Sequence, residues 1–261
     1  MIRTTTAAGF GACLAAAVYL AAAIAGAQAA EVKVLGFLSM RPILSDLGPE
    51  FERATGDRLA ASFDSVASLR NRIMAGEIAD VVIASRSALD DLAGRQRIAA
   101  GGIRDVARIS IRLFVRAGAP KPDIGSVEAL KHTLLTSDSL AFTDPARGAL
   151  AGRAFAEALN RLGIANQVRF KSKSIQGLGT DVVTAVASGA AAIGAAPTND
   201  LIPLPDGIDI LGPLPKELET DIVISAGVLA NAQAPAAAMG FIKFLVSRAA
   251  AKAIAAHGMA Q

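Results

Sequence analysis

The stretch between residues 61 and 85 constrains the fold of this chain more than any other, because it reads as one β-turn-α-β unit. Its pattern predicts a strand over 59–63, a polar bend at Asp64 and Ser65, a helix, and a second strand over 81–84. The helix carries one apolar stripe at helical spacing, formed by Val66, Leu69 and Ile73. The unpaired N–H groups of such a helix start lie at the carboxyl end of the strand, where the helix dipole also favours negative charge. The unit therefore predicts an anion-binding turn.

The first 30 residues have the pattern of a secretory signal peptide. Arg3 is the only charged residue before Glu31, and residues 7–25 are almost wholly apolar. The sequence Ala-Gln-Ala at 27–29 is typical of a cleavage site. A retained membrane anchor is the alternative, although the alanine-rich run is only weakly hydrophobic. We predict that residues 1–30 are removed and that the mature chain is periplasmic.

Composition excludes several classes of site and partner. The single cysteine, Cys13, and the single tyrosine, Tyr19, both lie in the predicted leader, so the mature chain has no disulfide or cysteine metal site. Of the 26 basic residues only Arg3 lies in the leader, which leaves 25 against 23 acidic residues. No basic run or stripe with interleaved aromatics is present, so we expect no nucleic-acid partner.

Strands alternate with helices along the rest of the chain. Further strands are predicted over 32–35, 109–115, 139–142, 168–171, 192–195, 208–211 and 221–229. Further helices are predicted from Pro42 to a C-cap at Gly56, and over 87–92, 127–135, 149–162, 180–188, 235–247 and 248–256. This alternation predicts an α/β protein with largely parallel sheets.

Two such series predict two lobes around a ligand cleft. The Pro/Gly cluster over 118–122 is the candidate first crossing between them, and the strand over 221–229 is the candidate return. We therefore assign residues 31–112 and 224–261 to lobe I and residues 113–223 to lobe II. Ligands of α/β sheets bind outside the carboxyl ends of the strands, so we expect the cleft there.

Several short motifs occur in an order that resembles one family. They are VLGFLSM at 34–40, ASF at 61–63 before the serine-containing turn, ADVVI at 79–83, DP at 144–145, LGPLP at 211–215 and FIKFL at 241–245. Together they resemble the molybdate-type periplasmic substrate-binding proteins of ABC importers, which are type II periplasmic binding proteins. The resemblance implies two α/β lobes that close on a small anion, a permease partner in the inner membrane, a monomer, and no cofactor or metal.

The resemblance also implies site residues. In that family an oxyanion is held by serines after the first and second strands, by backbone amides at helix starts, and by a tyrosine after a later strand. The corresponding first serine is Ser39, beside Met40, and the second falls on Val66, so that Ser65 or Ser68 must substitute. The amides of the second lobe map near Ala151 and near Gly179 and Thr180. The tyrosine position falls at about Ala196 and Pro197, where no tyrosine is present.

Two charged residues leave the nature of the ligand open. Asp64 directly follows the second strand, so either it turns away to cap the helix or the ligand presents a hydrogen-bond donor. Arg147 lies before a lobe II helix and is either a carboxylate ligand or a solvated loop residue. If both face the cleft, a small organic acid or amino-acid-like solute fits better than molybdate.

The sequence lacks the parts of the common catalytic sites. His132 and His257 are far apart, and no Ser/His/Asp set, cysteine nucleophile or paired carboxylates are present. We predict a solute-binding protein, not an enzyme, that captures a molybdate- or tungstate-like oxyanion for an importer. An exported enzyme that uses Asp64 as its base, or a sensor subunit, are the alternatives.

Overall fold

The computed structural model describes residues 29–147 and 149–261. The predicted signal peptide lies outside the described residues, except for its last two positions. Among the described helices none is both long and apolar enough to cross a membrane.

The described chain contains ten strands and nine helices. The strands are β1 Glu31–Phe37, β2 Arg58–Asp64, β3 Val81–Ser85, β4 Ile98–Ile109, β5 Ile111–Arg116, β6 Leu140–Thr143, β7 Ser172–Ile175, β8 Ile193–Pro197, β9 Ile208–Pro213 and β10 Ile222–Leu229. The helices are α1 Arg41–Thr55, α2 Val66–Met74, α3 Arg86–Gly94, α4 Val127–Thr136, α5 Leu150–Arg161, α6 Ala165–Val168, α7 Gly179–Ala187, α8 Pro235–Leu245 and α9 Arg248–Ala256. Short 3-10 turns lie at Leu38–Met40, Pro145–Arg147, Arg169–Lys171 and Thr198–Leu201.

The strands form two five-stranded sheets. Sheet I has the order β2-β1-β3-β10-β4, and sheet II has the order β7-β6-β8-β5-β9. In sheet I β1 runs parallel to β2 and β3, and β10 runs antiparallel to β3 and β4. In sheet II β6 runs parallel to β7 and β8, and β5 runs antiparallel to β8 and β9. The predicted α/β class with mixed sheets is confirmed, and parallel pairs make up half of the eight strand pairs.

The helices bury the apolar stripes that the sequence indicated. On α1 these are Leu44, Leu47 and Phe51, and the ring of Phe51 packs edge-on against Phe241 of α8 at 5.0 Å between centroids. Strand β3 is buried along its whole length, as expected for a strand covered by helices on both faces.

The first crossing between the sheets differs from the expectation. The apolar run over 109–115 is not one strand, because β4 ends in sheet I at Ile109 and β5 begins in sheet II at Ile111. The chain thus changes sheets at Ser110, and the Pro/Gly cluster over 118–122 follows the crossing instead of forming it. A run rich in strand-forming residues, such as ISIRLFV at 109–115, predicts extended backbone but carries no information on which sheet each half joins. The lobe boundaries themselves stay a prediction.

The predicted strand over 168–171 is also wrong. Val168 ends the short helix α6, and the 3-10 turn Arg169–Lys171 precedes the actual strand β7. The Nζ of Lys171 donates to the carbonyl groups of Leu135 and Ser137, at 2.6 Å each, which holds this turn against the end of α4. Val168 and Phe170 have strand-forming side chains, but these long-range contacts outweigh that local preference.

Candidate functional site

The strand ends of both sheets converge on one cleft of about 190 Å³. From sheet I it is lined by the turn after β1, the end of β2 and the start of α2, and from sheet II by the ends of β6 and β8 and the starts of α5 and α7. Ile109 and Ile222 also line the cleft, and they pair with each other where β4 and β10 meet. The cleft therefore lies beside the end of β4 and the start of β10, where the chain leaves and re-enters sheet I. Ligand sites of α/β proteins are expected at the carboxyl ends of the strands.

The structure brings most of the predicted site residues to this cleft. Those that line it are Ser39, Asp64, Ser65, Val66, Ala151, Gly179 and Pro197. Four others do not line it, namely Met40, Ser68, Arg147 and Thr180. Met40 is fully buried in the core, and Arg147 is exposed in its 3-10 turn. Whether Arg147 contacts a ligand stays a prediction.

The parallel register of β1 and β2 places the first two predicted turns side by side. Phe37 at the end of β1 is the partner of Asp64 at the end of β2. The turn that carries Ser39 therefore lies next to the start of α2. There Ser65 is the N-cap, and its hydroxyl accepts a hydrogen bond from the N–H of Ser68 at 3.1 Å.

Asp64 also caps α2. One carboxylate oxygen accepts a hydrogen bond from the hydroxyl of Ser68 at 2.6 Å, and the other accepts from the N–H of Ser65 at 2.7 Å. These two bonds, helped by Arg72 at 3.9 Å, lower the pKa of Asp64. Asp64 therefore lines the cleft while both of its carboxylate oxygens are bonded within the turn, and the hydroxyl of Ser68 is used inside the same turn.

On the opposite side, α5 brings its first turn to the cleft through a close contact with β6. Gly152 packs directly on Thr143, and a Cβ at position 152 would overlap the carbonyl oxygen of Thr143. Ala149, the N-cap of α5, makes no side-chain capping bond, and no acidic residue occupies the first turn. The start of α5 is therefore an anion-favouring position that no carboxylate of its own occupies.

At the start of α7, unlike that of α5, backbone amides are bonded to carboxylates of the protein. The N–H of Leu178 donates to the carboxylate of Asp181 at 2.7 Å, and the N–H of Gly179 donates to the carboxylate of Asp200 at 2.9 Å. The amide of Gly179, which the resemblance assigned to a ligand, thus already has a carboxylate partner. The present position of the Asp200 carboxylate depends on glycine at 179, because a Cβ there would overlap it and the carboxylate would have to shift.

Asp200 and Asn199 line the cleft and were missed in the sequence. They lie in the 3-10 turn after β8, and the side-chain amide of Asn199 donates to Asp200 at 2.6 Å. Burial raises the pKa of the half-buried Asp200, and the hydrogen bond from Gly179 opposes this effect only in part. A cluster of polar residues directly after the strand predicted over 192–195 was the available signal.

The predicted position of the family tyrosine is occupied by small and cyclic side chains. Ala196 is fully buried, and Pro197 lines the cleft. The described residues contain no group of three or more His, Cys, Asp or Glu side chains that could hold a metal ion. His257 lies elsewhere, where its Nε2 contacts a carboxylate oxygen of Asp46 at 2.7 Å.

Residues 32–260 match the family of bacterial extracellular solute-binding proteins. The chain therefore belongs to this family, and the resemblance to type II periplasmic solute-binding proteins is confirmed. A curated relative from a Pseudomonas species, described as aconitate isomerase, is 33% identical over 221 residues, which are 83% of this chain and 82% of that protein.

Solved structures of binding proteins share the fold. A substrate-binding domain assigned to a molybdenum ABC transporter of Clostridium difficile matches with a TM-score of 0.78 at 18% identity, over 89% of this chain and 99% of that one. The periplasmic molybdate-binding protein of Azotobacter vinelandii matches with a TM-score of 0.68 at 20% identity, over 88% and 99%. At these identities the likeness establishes the two-lobed fold and leaves the ligand open.

Proposed function

We propose that this chain is a periplasmic solute-binding protein that captures a small organic acid with two or three carboxylates between its two sheets. The observation that carries this proposal is the difference between the three helix starts at the cleft. The start of α5 has no carboxylate of its own, whereas α2 is capped by Asp64 and α7 by Asp181 and Asp200.

A ligand that matches this arrangement is asymmetric. One carboxylate of the ligand lies at the first amides of α5, where the helix dipole favours negative charge. The side that faces Asp64 and Asp200 receives a part of the ligand with lower negative charge. A symmetric dianion such as molybdate places equal charge in all directions, so that it fits α5 but is repelled by the two aspartates.

The cleft walls support a ligand with a carbon skeleton. Many of the lining side chains are apolar, among them Leu38, Val66, Ile109, Leu150 and Ile222. An organic acid covers this apolar surface when it binds, which a small oxyanion cannot do. The curated relative is named for aconitate, a tricarboxylate, which agrees with this ligand class.

The biological role that we propose is delivery of the bound acid to an ABC permease in the inner membrane. Residues 1–30 would direct export, and lobe I (31–112 and 224–261) would close on lobe II (113–223) around the ligand as a monomer. Closure shifts a conformational equilibrium by the difference in ligand affinity between the open and closed forms.

A second candidate function is isomerisation of the bound acid. Two observations favour it: the 33% identical relative is described as an isomerase, and Asp200 is a half-buried carboxyl in the cleft with a raised pKa. A carboxyl of this kind can take a proton from a substrate carbon and return it to another carbon, without a cofactor. This candidate replaces Asp64, the base that the sequence suggested, because Asp64 has a lowered pKa.

Calorimetry with both classes of ligand tests the proposal. We expect cis-aconitate, trans-aconitate, citrate or malate to bind with a Kd near or below the micromolar range, about −8 kcal/mol, and molybdate, tungstate and sulfate to bind at least tenfold more weakly. Micromolar binding of molybdate without binding of any carboxylate would contradict the proposal.

The same ligands separate binding from catalysis. Each aconitate isomer is incubated with the protein, and the ratio of isomers is followed by proton NMR. Conversion that is lost in Asp200→Asn, with aconitate binding retained, supports the isomerase. Binding without conversion in the wild-type protein supports the transport role alone.

A further inference from the structure

Asp200 presents its carboxyl group to the cleft. Its two carboxylate oxygens accept one hydrogen bond each, from the N–H of Gly179 at 2.9 Å and from the amide of Asn199 at 2.6 Å. Both donors are neutral. Within the part of the chain that the structure describes, no Lys, Arg or His nitrogen lies within 4.0 Å of this carboxylate. The carboxyl group of Asp200 is therefore positioned by neutral donors alone.

Contacts of the surrounding backbone locate the side chain of Asp200. Gly179 lies close to this side chain, because a Cβ at position 179 would overlap the carboxylate of Asp200 and approach the Cδ of Pro197 to 3.0 Å. The 3-10 turn Thr198–Leu201 is itself tied to the crossing between the sheets, since the N–H of Thr198 donates to the carbonyl of Ser110 at 3.0 Å. A ligand that enters the cleft therefore meets the carboxyl group of Asp200 in this position.

An ionised carboxylate can only accept hydrogen bonds. Its two oxygens offer about four lone-pair sites, and the protein uses two of them. A ligand hydroxyl can use a remaining site, whereas a deprotonated ligand oxygen has no proton to donate and is repelled. Asp64 adds negative charge on the opposite side of the cleft but has its oxygens engaged in the α2 cap.

Resting on the proposed function, we propose that Asp200 makes the cleft selective for acids that carry a hydrogen-bond donor, such as a hydroxyl, beside their carboxylates. Acids whose polar groups are all deprotonated oxygens are discriminated against. Within the proposed class of ligands, hydroxy acids such as citrate and malate are therefore preferred to acids without a hydroxyl, such as aconitate.

Matched ligand pairs test this selectivity by calorimetry at pH 8. The pairs are malate with succinate, citrate with propane-1,2,3-tricarboxylate, and hydrogen phosphate with sulfate; the first member of each has a proton to donate and the second has none. We expect the wild-type protein to bind the first member of at least one pair tenfold or more tightly than the second. In Asp200→Asn we expect the ratio of the two affinities to fall to about one or to invert. The side-chain amide of the new asparagine can still accept from the N–H of Gly179, but it also offers N–H groups to the ligand.

Asp181→Asn is the matched control. It removes the same charge from the same start of α7, but Asp181 caps Leu178 and does not line the cleft. The ratio in this variant stays within twofold of the wild-type value. A thermal melt of each variant without ligand shows that both remain folded.

The outcomes separate this inference from the proposed function. If carboxylates bind but the members of each pair bind equally, or if Asp200→Asn keeps the wild-type ratio, the role of Asp200 is overturned and the proposed function stands. If no carboxylate binds but phosphate is preferred to sulfate, the proposed function fails and the role of Asp200 stands. Preference for sulfate, or no binding of any of the six ligands, overturns both.

Discussion

At the residue scale, the two carboxylates that line the cleft have opposite environments. The hydroxyl of Ser68 and the N–H of Ser65 stabilise the ionised form of Asp64 and lower its pKa. Burial of Asp200 among neutral groups disfavours the ionised form and raises its pKa. Of the two carboxyl groups, Asp200 is therefore the one whose environment favours the protonated form more.

The cap of α2 makes a pH-dependent prediction. Because the pKa of Asp64 is lower in the folded than in the unfolded chain, its stabilising effect is present above the unfolded pKa and is lost as pH falls through the folded pKa. In Ser68→Ala we expect the pKa of Asp64 to rise towards its usual value, so that the effect is lost at a higher pH. Carboxyl-carbon NMR titration measures this shift.

The control for this titration is Ser45→Ala. The hydroxyl of Ser45 donates to the carbonyl of Arg41 within α1, which is a bond of similar length on an exposed helix face. This variant leaves the pKa of Asp64 unchanged. An unchanged pKa in Ser68→Ala as well would show that the hydroxyl of Ser68 does not hold Asp64.

At the element scale, the contact between α5 and β6 positions the anion-binding turn. Gly152 is the residue that permits it, because a Cβ would meet the carbonyl of Thr143 at the end of β6. The helix must approach this closely for its first amides to line the cleft at Leu150 and Ala151. A single small residue thus connects helix packing to ligand binding.

Two alanine substitutions test this contact. Gly152→Ala forces α5 away from β6, and we expect a loss of about 1–3 kcal/mol in the free energy of unfolding together with at least tenfold weaker ligand binding. Gly240→Ala, in α8, meets no atom within 4 Å and should instead stabilise the protein by about 0.5–1 kcal/mol. Urea unfolding and calorimetry measure both effects. Equal behaviour of the two variants would contradict the role assigned to Gly152.

At the scale of the whole molecule, each sheet contributes an exposed leucine to the cleft. Leu38 follows β1 of sheet I and is 43% exposed, and Leu178 precedes α7 beside sheet II and is 58% exposed. Closure of the two proposed lobes over a ligand would bury part of both side chains. Their burial adds to the free energy of the closed form only, and so to ligand affinity.

This role of the leucines is tested by Leu178→Ser. Loss of its partial burial should weaken ligand binding by about 1 kcal/mol, close to fivefold in Kd, without lowering the Tm of the free protein. Phe170→Ser is the control, because Phe170 is 94% exposed and does not line the cleft. If both variants bind the ligand like the wild-type protein, closure over Leu178 is not part of binding.

The sequence by itself determined the α/β class, the apolar stripes of the helices and the turns at strand ends. Gly56 is a clear case, because its place after an apolar helical stripe predicted the C-cap that the structure shows. These features follow from periodicity and from local hydrogen bonding. Both depend on residues that are close in the sequence, so they can be predicted from it.

Only the tertiary structure decided where the chain changes sheets and which helix starts are free to bind an anion. Asp200 accepts a hydrogen bond from the amide of Gly179, 21 residues away in the sequence. The amide that was predicted to bind the ligand is therefore bonded to a carboxylate of the protein. Such contacts depend on how β8 and α7 are placed by sheet II as a whole. No local pattern carries that information, because the residues involved come together only when the sheet has formed.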